Sequence, residues 1–282
     1  MNQIKLRKML EEFFIEDIGD QDLTSHAIFP AEQNGSGVFI AKESGIIAGL
    51  DIIQQAYHLL DSKLEVSLHY TDGDYVQKGE RIAEVRGAVR NILTGERVIL
   101  NLLQRMSGIA TLTNECVETL NDASIRICDT RKTTPGLRML EKYAVTVGGG
   151  KNHRNGLYDG VMIKDNHISY AGSITKAVEK AREVFGHMVK IEVETENKEA
   201  VIEAVKANAD VIMFDNRTPE EVKDFAKLVP SPIITEASGG INLKTLATYA
   251  GTGVHYISLG ALTHSVKALD ISLLVKEEQE NN

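Results

Sequence analysis

The sequence predicts an α/β protein in two parts, a small α/β sandwich followed by an α/β barrel that falls short of eight strands. Three observations carry this. The chain changes character near residue 108, from short β-like runs to strands alternating with amphipathic helices. The last four apolar runs end at residues 194, 215, 236 and 258. That step, one strand plus one helix, is the signature of a parallel sheet. Nearly every run also ends in a charged or hydroxyl group, as in a barrel whose chemistry collects at the C-terminal ends of its strands. A dinucleotide-binding sheet would instead concentrate its signal in one glycine-rich first turn.

The first part opens with a helical pattern from Ile4 to Phe14, followed by the runs GVFIAKE, GIIAGL, KLEVSLHY and RIAEVRG. Turn signals punctuate them, DGD at 72–74 and KGE at 78–80. A helix is predicted from Thr94 as N-cap, with Val98, Ile99, Leu102, Leu103 and Met106 on its apolar face. The stretch 70–87 has the turn chemistry of the hairpins in biotinyl and lipoyl carrier domains. Its nearest upstream lysine, Lys63, lies in DSKLEV and not between apolar flanks at a hairpin tip, so the stretch reads as scaffold.

In the second part the predicted strands are 125–129, 160–164, 189–194, 211–215, 232–236 and 255–260. Helices such as SITKAVEKAREVF and PEEVKDFAKLV separate them. Thr134 and Pro135 read as an N-cap and first helical residue, with Gly148 ending that helix.

Composition narrows the function. The 282 residues are 43% hydrophobic and 25% charged, ordinary for a globular protein. No apolar run approaches the roughly 20 residues that span a bilayer, and the mixed-charge opening lacks a signal-peptide core. Two cysteines cannot build a disulfide framework, and a cytoplasmic location is expected. A net charge of -9 argues against nucleic-acid binding. The charge is uneven, however. Residues 129–168 hold seven Lys/Arg against four Asp/Glu, which leaves +3 there and -12 elsewhere. Such an inversion suits a pocket for a small anion.

Three groups of residues carry the chemistry. Arg131, Lys132, His153, Arg154 and Lys164 are cationic; each alone reads as a surface charge, but a strand-to-helix loop (Arg131, Lys132), the return loop (His153, Arg154) and a strand end (Lys164) would bring all of them to one barrel rim. Lys164 ends an apolar strand, where a lysine is costly without an anion to meet. Glu194 and Asp215 end consecutive strands and suit Mg²⁺ or sugar hydroxyls, or an ion pair with Lys164. EASGGI (236–241) and SLGALT (258–263) are glycine turns before helices, where backbone N–H groups bind phosphate. His26, His58, His69, His187 and His255 have no metal spacing and read as structural.

The chain resembles the nicotinate-nucleotide pyrophosphorylases, the decarboxylating quinolinate phosphoribosyltransferase family. The resemblance covers essentially the whole length and rests on GERVILNLLQRMSGIAT (95–111), residues 129–168, IEVET (191–195), VIMFDN (211–216), EASGGI and ISLGALTHS (257–265). It implies an N-terminal α/β sandwich domain at 1–108 and an incomplete, about seven-stranded TIM-like α/β barrel at 109–282, the C-terminal segment able to pack back on the sandwich. It also implies roles. Arg131, His153, Arg154 and Lys164 would bind the two carboxylates of quinolinate, and Lys132 would sit between quinolinate and the pyrophosphate of phosphoribosyl pyrophosphate. Glu194 and Asp215 would face the ribose hydroxyls and Mg²⁺. Ser238, Gly239, Gly240, Ser258 and Gly260 would hold the 5-phosphate. Arg97 would enter from the neighbouring subunit of a homodimer, completing a shared site.

The implied reaction converts quinolinate and phosphoribosyl pyrophosphate to nicotinate mononucleotide, CO₂ and pyrophosphate, a step of NAD biosynthesis. Lys132, Lys164, Glu194 and Asp215 would be its catalytic residues. Two other readings stand beside it, a molybdate-transport-associated homologue acting on another acceptor and a non-catalytic barrel that binds a phosphorylated metabolite. The full cation set argues for a dicarboxylate against both.

Overall fold

The computed structural model describes residues 1–277, which fall into two units. The first comprises residues 1–112, 139–148 and 266 onward; the second comprises 113–138 and 149–265. The division is therefore not a single cut at 108. The chain passes between units at 112, 138, 148 and 265.

The first unit begins with α1 (Gln3–Ile18), whose N-cap Asn2 accepts from the Lys5 N–H, and α2 (Leu23–Ile28), capped by Asp22. Next come β1 (Asn34–Ala41), β2 (Gly45–Ile46), α3 (Leu50–Leu60), β3 (Glu65–Leu68), β4 (Tyr75–Val76) and β5 (Arg81–Ala88). The final strand, β12 (Ile271–Glu277), returns to this unit. It pairs antiparallel with β1, so that the sheet runs β12-β1-β5-β3. Gly37 on β1 permits the packing above it, since a Cβ there would meet Ile92, Val85 and Leu273 at 3.0–3.1 Å. Phe39 packs edge-on against Tyr57, with ring centroids 6.3 Å apart, and the Tyr57 hydroxyl donates to the Ile92 carbonyl.

Helix α4 (Val89–Leu120) starts five residues before the predicted cap. Thr94 lies inside it, its hydroxyl bonded to the Arg90 carbonyl one turn back and to Asp22. A threonine ahead of an apolar run mimics an N-cap, but here it satisfies a carbonyl of its own helix.

The second predicted helix, by contrast, starts late. Helix α5 (Arg138–Val147) leaves Thr134, Pro135 and Gly136 in the preceding turn, where Gly136 has φ +85°. Its side chains explain why it groups with the first unit. Arg105 on α4 grips the buried Glu141 carboxylate at 2.6 and 2.8 Å. The Tyr143 hydroxyl donates to Asp72 at 2.8 Å.

The second unit is a parallel sheet with helices between its strands: β6 (Arg126–Cys128), β7 (Val161–Ile163), α6 (Asp165–Ala171), α7 (Ile174–Val184), β8 (Ile191–Thr195), α8 (Lys198–Lys206), β9 (Val211–Asp215), α9 (Pro219–Ala226), β10 (Ile234–Ser238), α10 (Leu243–Leu246), β11 (Tyr256–Ser258) and α11 (Ala261–His264). The order is β6-β11-β10-β9-β8-β7. Among the described residues this sheet has six strands rather than about seven. The seventh is reduced to one residue, Lys151, in a single parallel bridge to Cys128 beyond the edge of β6. No ladder joins that edge to β7 among the described residues.

Alternation along the strands sorts their residues. Glu192 and Glu194 share one face of β8, Met213 and Asp215 one face of β9, Glu236 and Ser238 one face of β10. Pairing aligns Met162 with Glu192, Met213 with Glu236, and Asp215 with Ser238. The inward face is thus layered, with polar groups at the C-terminal rim and two methionines and two glutamates one step below.

Candidate active site

A cavity of about 650 Å³ opens at the C-terminal ends of the parallel strands. Of the sequence-predicted residues, Arg131, Lys132, His153, Arg154, Lys164, Glu194, Asp215, Ser238, Gly239, Gly240, Ser258 and Gly260 all line it. Arg97 does not: it lies on α4 with its side chain 61% exposed, 3.8 Å from Glu96.

The cations are held, not floating. The loop after β6 delivers Arg131, whose Nε is buried without a hydrogen-bond partner. Arg154 donates to the Gly160 carbonyl at 2.9 Å and lies 3.6 Å from the Met162 sulfur. Burial, with the charge of Arg131 second, lowers the Arg154 pKa. Two guanidiniums in one half-buried wall, one with an unsatisfied donor, form a site for anionic oxygens. Lys164, at the end of β7, pairs with Glu194 at the end of β8. Burial raises the Glu194 pKa, while the Lys164 ammonium pulls it down.

The opposite wall is glycine backbone. Gly239 and Gly240 both have positive φ, +83° and +67°. At Gly239 a side chain would collide with the Asn216 amide oxygen and come within 2.9 Å of its backbone nitrogen. Ser238 and Ser258, on neighbouring strands, join hydroxyls at 2.9 Å. A Cβ at Gly260 would meet Lys132 Cδ at 2.9 Å, so the lysine stem lies against that turn. The two walls therefore differ in kind, fixed side-chain cations facing close-approach backbone, with Lys132 reaching from the first to the second.

Sequence reasoning missed several residues. His264, Asn216 and Thr130 line the cavity. His264 falls one helical turn after Gly260, a spacing that could have flagged it. Asn216 follows Asp215, donates to its carboxylate at 2.8 Å and has φ +54°. Glu192 and Glu236 lie beneath the rim, buried, with His153 Nε2 at 2.9 Å from one and 3.8 Å from the other. Two residues with no sequence-level role turn out to support the frame. Lys151 makes the bridge, and His167 Nδ1 accepts from the Lys164 N–H at the start of α6.

Comparison with known proteins places this architecture. Residues 109–274 match the quinolinate phosphoribosyl transferase C-terminal domain, and 22–107 match the N-terminal domain of the same family. The chain belongs to the quinolinate phosphoribosyltransferase family. A probable nicotinate-nucleotide pyrophosphorylase [carboxylating] of Bacillus subtilis is 59% identical over 281 residues, covering 100% of this chain and 97% of that protein. The chloroplastic nicotinate-nucleotide pyrophosphorylase of Oryza sativa is 42% identical, covering 97% and 78%. The crystal structure of NadC from Streptococcus pyogenes superposes with a TM-score of 0.96 at 39% identity, covering 99% of each chain. The quinolinate phosphoribosyltransferase fold thus extends along the whole chain, and no described helix is long and apolar enough to cross a membrane.

Proposed function

We propose that this protein transfers the phosphoribosyl group of phosphoribosyl pyrophosphate to quinolinate and releases CO₂, giving nicotinate mononucleotide in NAD biosynthesis. The observation that carries the reading is the pairing of unlike walls in one cavity, a cluster of fixed cations opposite two glycine turns. A ligand that fits both has carboxylates at one end and a phosphate at the other.

Arg131, Arg154 and Lys164 take the quinolinate carboxylates, with His153 beside them. Because Lys164 already pairs with Glu194, substrate entry exchanges one carboxylate for another on the lysine and turns Glu194 toward the ribose. Ser238 through Gly240, with Ser258 and Gly260, take the 5-phosphate, and Lys132 reaches the pyrophosphate. Glu194 and Asp215 carry negative charge beside the ribose carbon as it becomes electron-poor. The cations hold the ring nitrogen in line with that carbon, so the rate gain is positioning and charge stabilisation without an enzyme nucleophile. Once alkylated, the ring nitrogen is positive and stabilises the carbanion that departing CO₂ leaves on the adjacent ring carbon, which then takes a proton from solvent.

Glu194 and Asp215 offer hard carboxylate oxygens, a donor set that fits Mg²⁺ held jointly with substrate phosphates. Bound there, Mg²⁺ would offset the charge of the pyrophosphate. Arg97 completes the carboxylate wall from the second chain of a homodimer; the support for this is its exposed side chain in a single chain. Two free, buried cysteines suit the reducing cytoplasm.

The assay is direct. Purified protein with quinolinate, phosphoribosyl pyrophosphate and Mg²⁺ should release CO₂ and form nicotinate mononucleotide. Turnover of nicotinate with none of quinolinate would overturn the substrate assignment.

A further inference from the structure

A parallel barrel normally fills its interior with layers of Val, Ile and Leu. Here the layer beneath the rim holds Glu192 on β8 and Glu236 on β10, 6% and 4% exposed. One oxygen of each, Glu192 Oε1 and Glu236 Oε1, is buried without a hydrogen-bond partner. Burying carboxylates that the fold does not fully satisfy is costly. Their stabilising return is poor, so their reason is to be sought in what they touch.

What they touch is His153, and its tautomer can be assigned. The His153 backbone N–H donates to the fully buried Asp129 carboxylate at 2.9 Å. His153 Nδ1 accepts the backbone N–H of Arg154 at 2.7 Å. A backbone N–H can only donate, so Nδ1 must present its lone pair, and in the neutral ring the proton sits on Nε2. Nε2 then donates to Glu192 Oε2 at 2.9 Å, with Glu236 Oε1 behind at 3.8 Å. The three side chains lie close enough to hold a metal ion, their donor atoms within 4.8 Å of one another. The tautomer argues against that use, because Nε2 has no lone pair to give while Nδ1 is engaged. A proton joins these groups.

We propose that Glu192, backed by Glu236, is a positioning residue for the carboxylate wall of the cavity: it fixes the His153 ring, and the ring's other nitrogen fixes the backbone from which Arg154 reaches the substrate. This rests on the quinolinate reading above. Without the Glu192 acceptor the ring is free to rotate and the Arg154 N–H loses its partner. The guanidinium then loses its preset position against Gly160 and Met162. Second partners of this kind commonly set the orientation of a functional histidine.

The test is Glu192→Met, close in volume and without charge, beside Glu192→Gln, which keeps an acceptor oxygen. The expected result is a quinolinate KM raised tenfold or more in Glu192→Met, with the KM for phosphoribosyl pyrophosphate within twofold of wild type and the melting temperature maintained or raised. Glu192→Gln should recover most of the quinolinate KM. A folded Glu192→Met enzyme with an unmoved quinolinate KM, or with both KM values rising together, overturns the proposal. ¹⁵N NMR of histidine-labelled wild-type protein, assigned by the signal lost in His153→Gln, tests it without any Glu192 variant. His153 should carry its proton on Nε2, and a proton on Nδ1 overturns the assignment. Wild-type protein that turns over no quinolinate would defeat the functional reading, whereas active wild type with an indifferent Glu192→Met defeats this inference alone.

Discussion

Arg131 and Arg154 stand in one wall, and the charge of Arg131 helps to lower the proton affinity of Arg154. Two like charges held together in this way are relieved by a dianion. Arg131→Ala should therefore lower kcat/KM for quinolinate by about 10²-fold or more while the melting temperature hardly moves, since one Arg131 donor is already unpaired. A matched loss in stability would mean that the residue supports the fold instead. Glu236 makes the opposite kind of statement. Burial, then the charge of Glu192, pushes its pKa up to about 8. The unfolded chain releases this proton near the ordinary glutamate value, so between there and about pH 8 the folded state holds more protons, and stability falls as pH rises. Glu236→Gln should flatten the decline in melting temperature across that window; an unchanged slope would remove Glu236 as its source. At this scale the sequence was readable where charged groups stood at or just past a strand end, as with Asp215 at the end of β9 and Lys164 just after β7. It was not read one step inward, although the alternation in IEVET puts Glu192 on the same face as Glu194 and could have disclosed it.

Elements show why some boundaries were misread. The helical periodicity of LDIIQQAYHLL is clear in α3, yet that helix sits among strands and is started from outside. Gly49 is left-handed with φ +97°, and the Asp72 carboxylate accepts from the backbone N–H groups of Gly49 and Leu50 at 2.9–3.0 Å. Thus the DGD turn of the carrier-like stretch works as a helix cap, and it also anchors Tyr143. Asp72→Ala leaves these donors without their acceptor and should cost about 1–3 kcal/mol in urea unfolding, read as a lower midpoint at unchanged slope. The late start of α5 has a similar cause, because Thr133 and the Arg131 carbonyl are occupied by the Arg138 guanidinium. The Asp72 acceptor lies 22–23 residues from the donors it caps and so leaves no local signal.

For the whole molecule, the (βα) rhythm was legible because its step is regular, and the return of the C-terminal segment to the sandwich was implied by the family resemblance; the grouping of α5 with the first unit was not. Strand β12 and helix α5 join the first unit through contacts with β1, Arg105 and Asp72, which no window of sequence contains. Assembly is where the exposed Arg97 is to be tested. Arg97→Ala and Arg131→Ala chains, each inactive alone, should on mixing regain about a quarter of wild-type activity. Half of randomly formed dimers are mixed, and one of the two sites in each then carries both arginines. No recovery despite demonstrated subunit exchange would confine each site to one chain.

The missing seventh ladder has a consequence for how position 154 should be read. Between the bridge at Lys151 and the edge of β7, the Arg154 side chain bonded to the Gly160 carbonyl is one tie, beside the Asn155 and Gly156 N–H groups held by the Asp159 carboxylate. On the proposed reading, one guanidinium would be both clasp and ligand hand. Any allele at this position mixes a mechanical defect with a chemical one, so Arg131, which clasps nothing across that seam, is the cleaner reporter of what the pocket recognises.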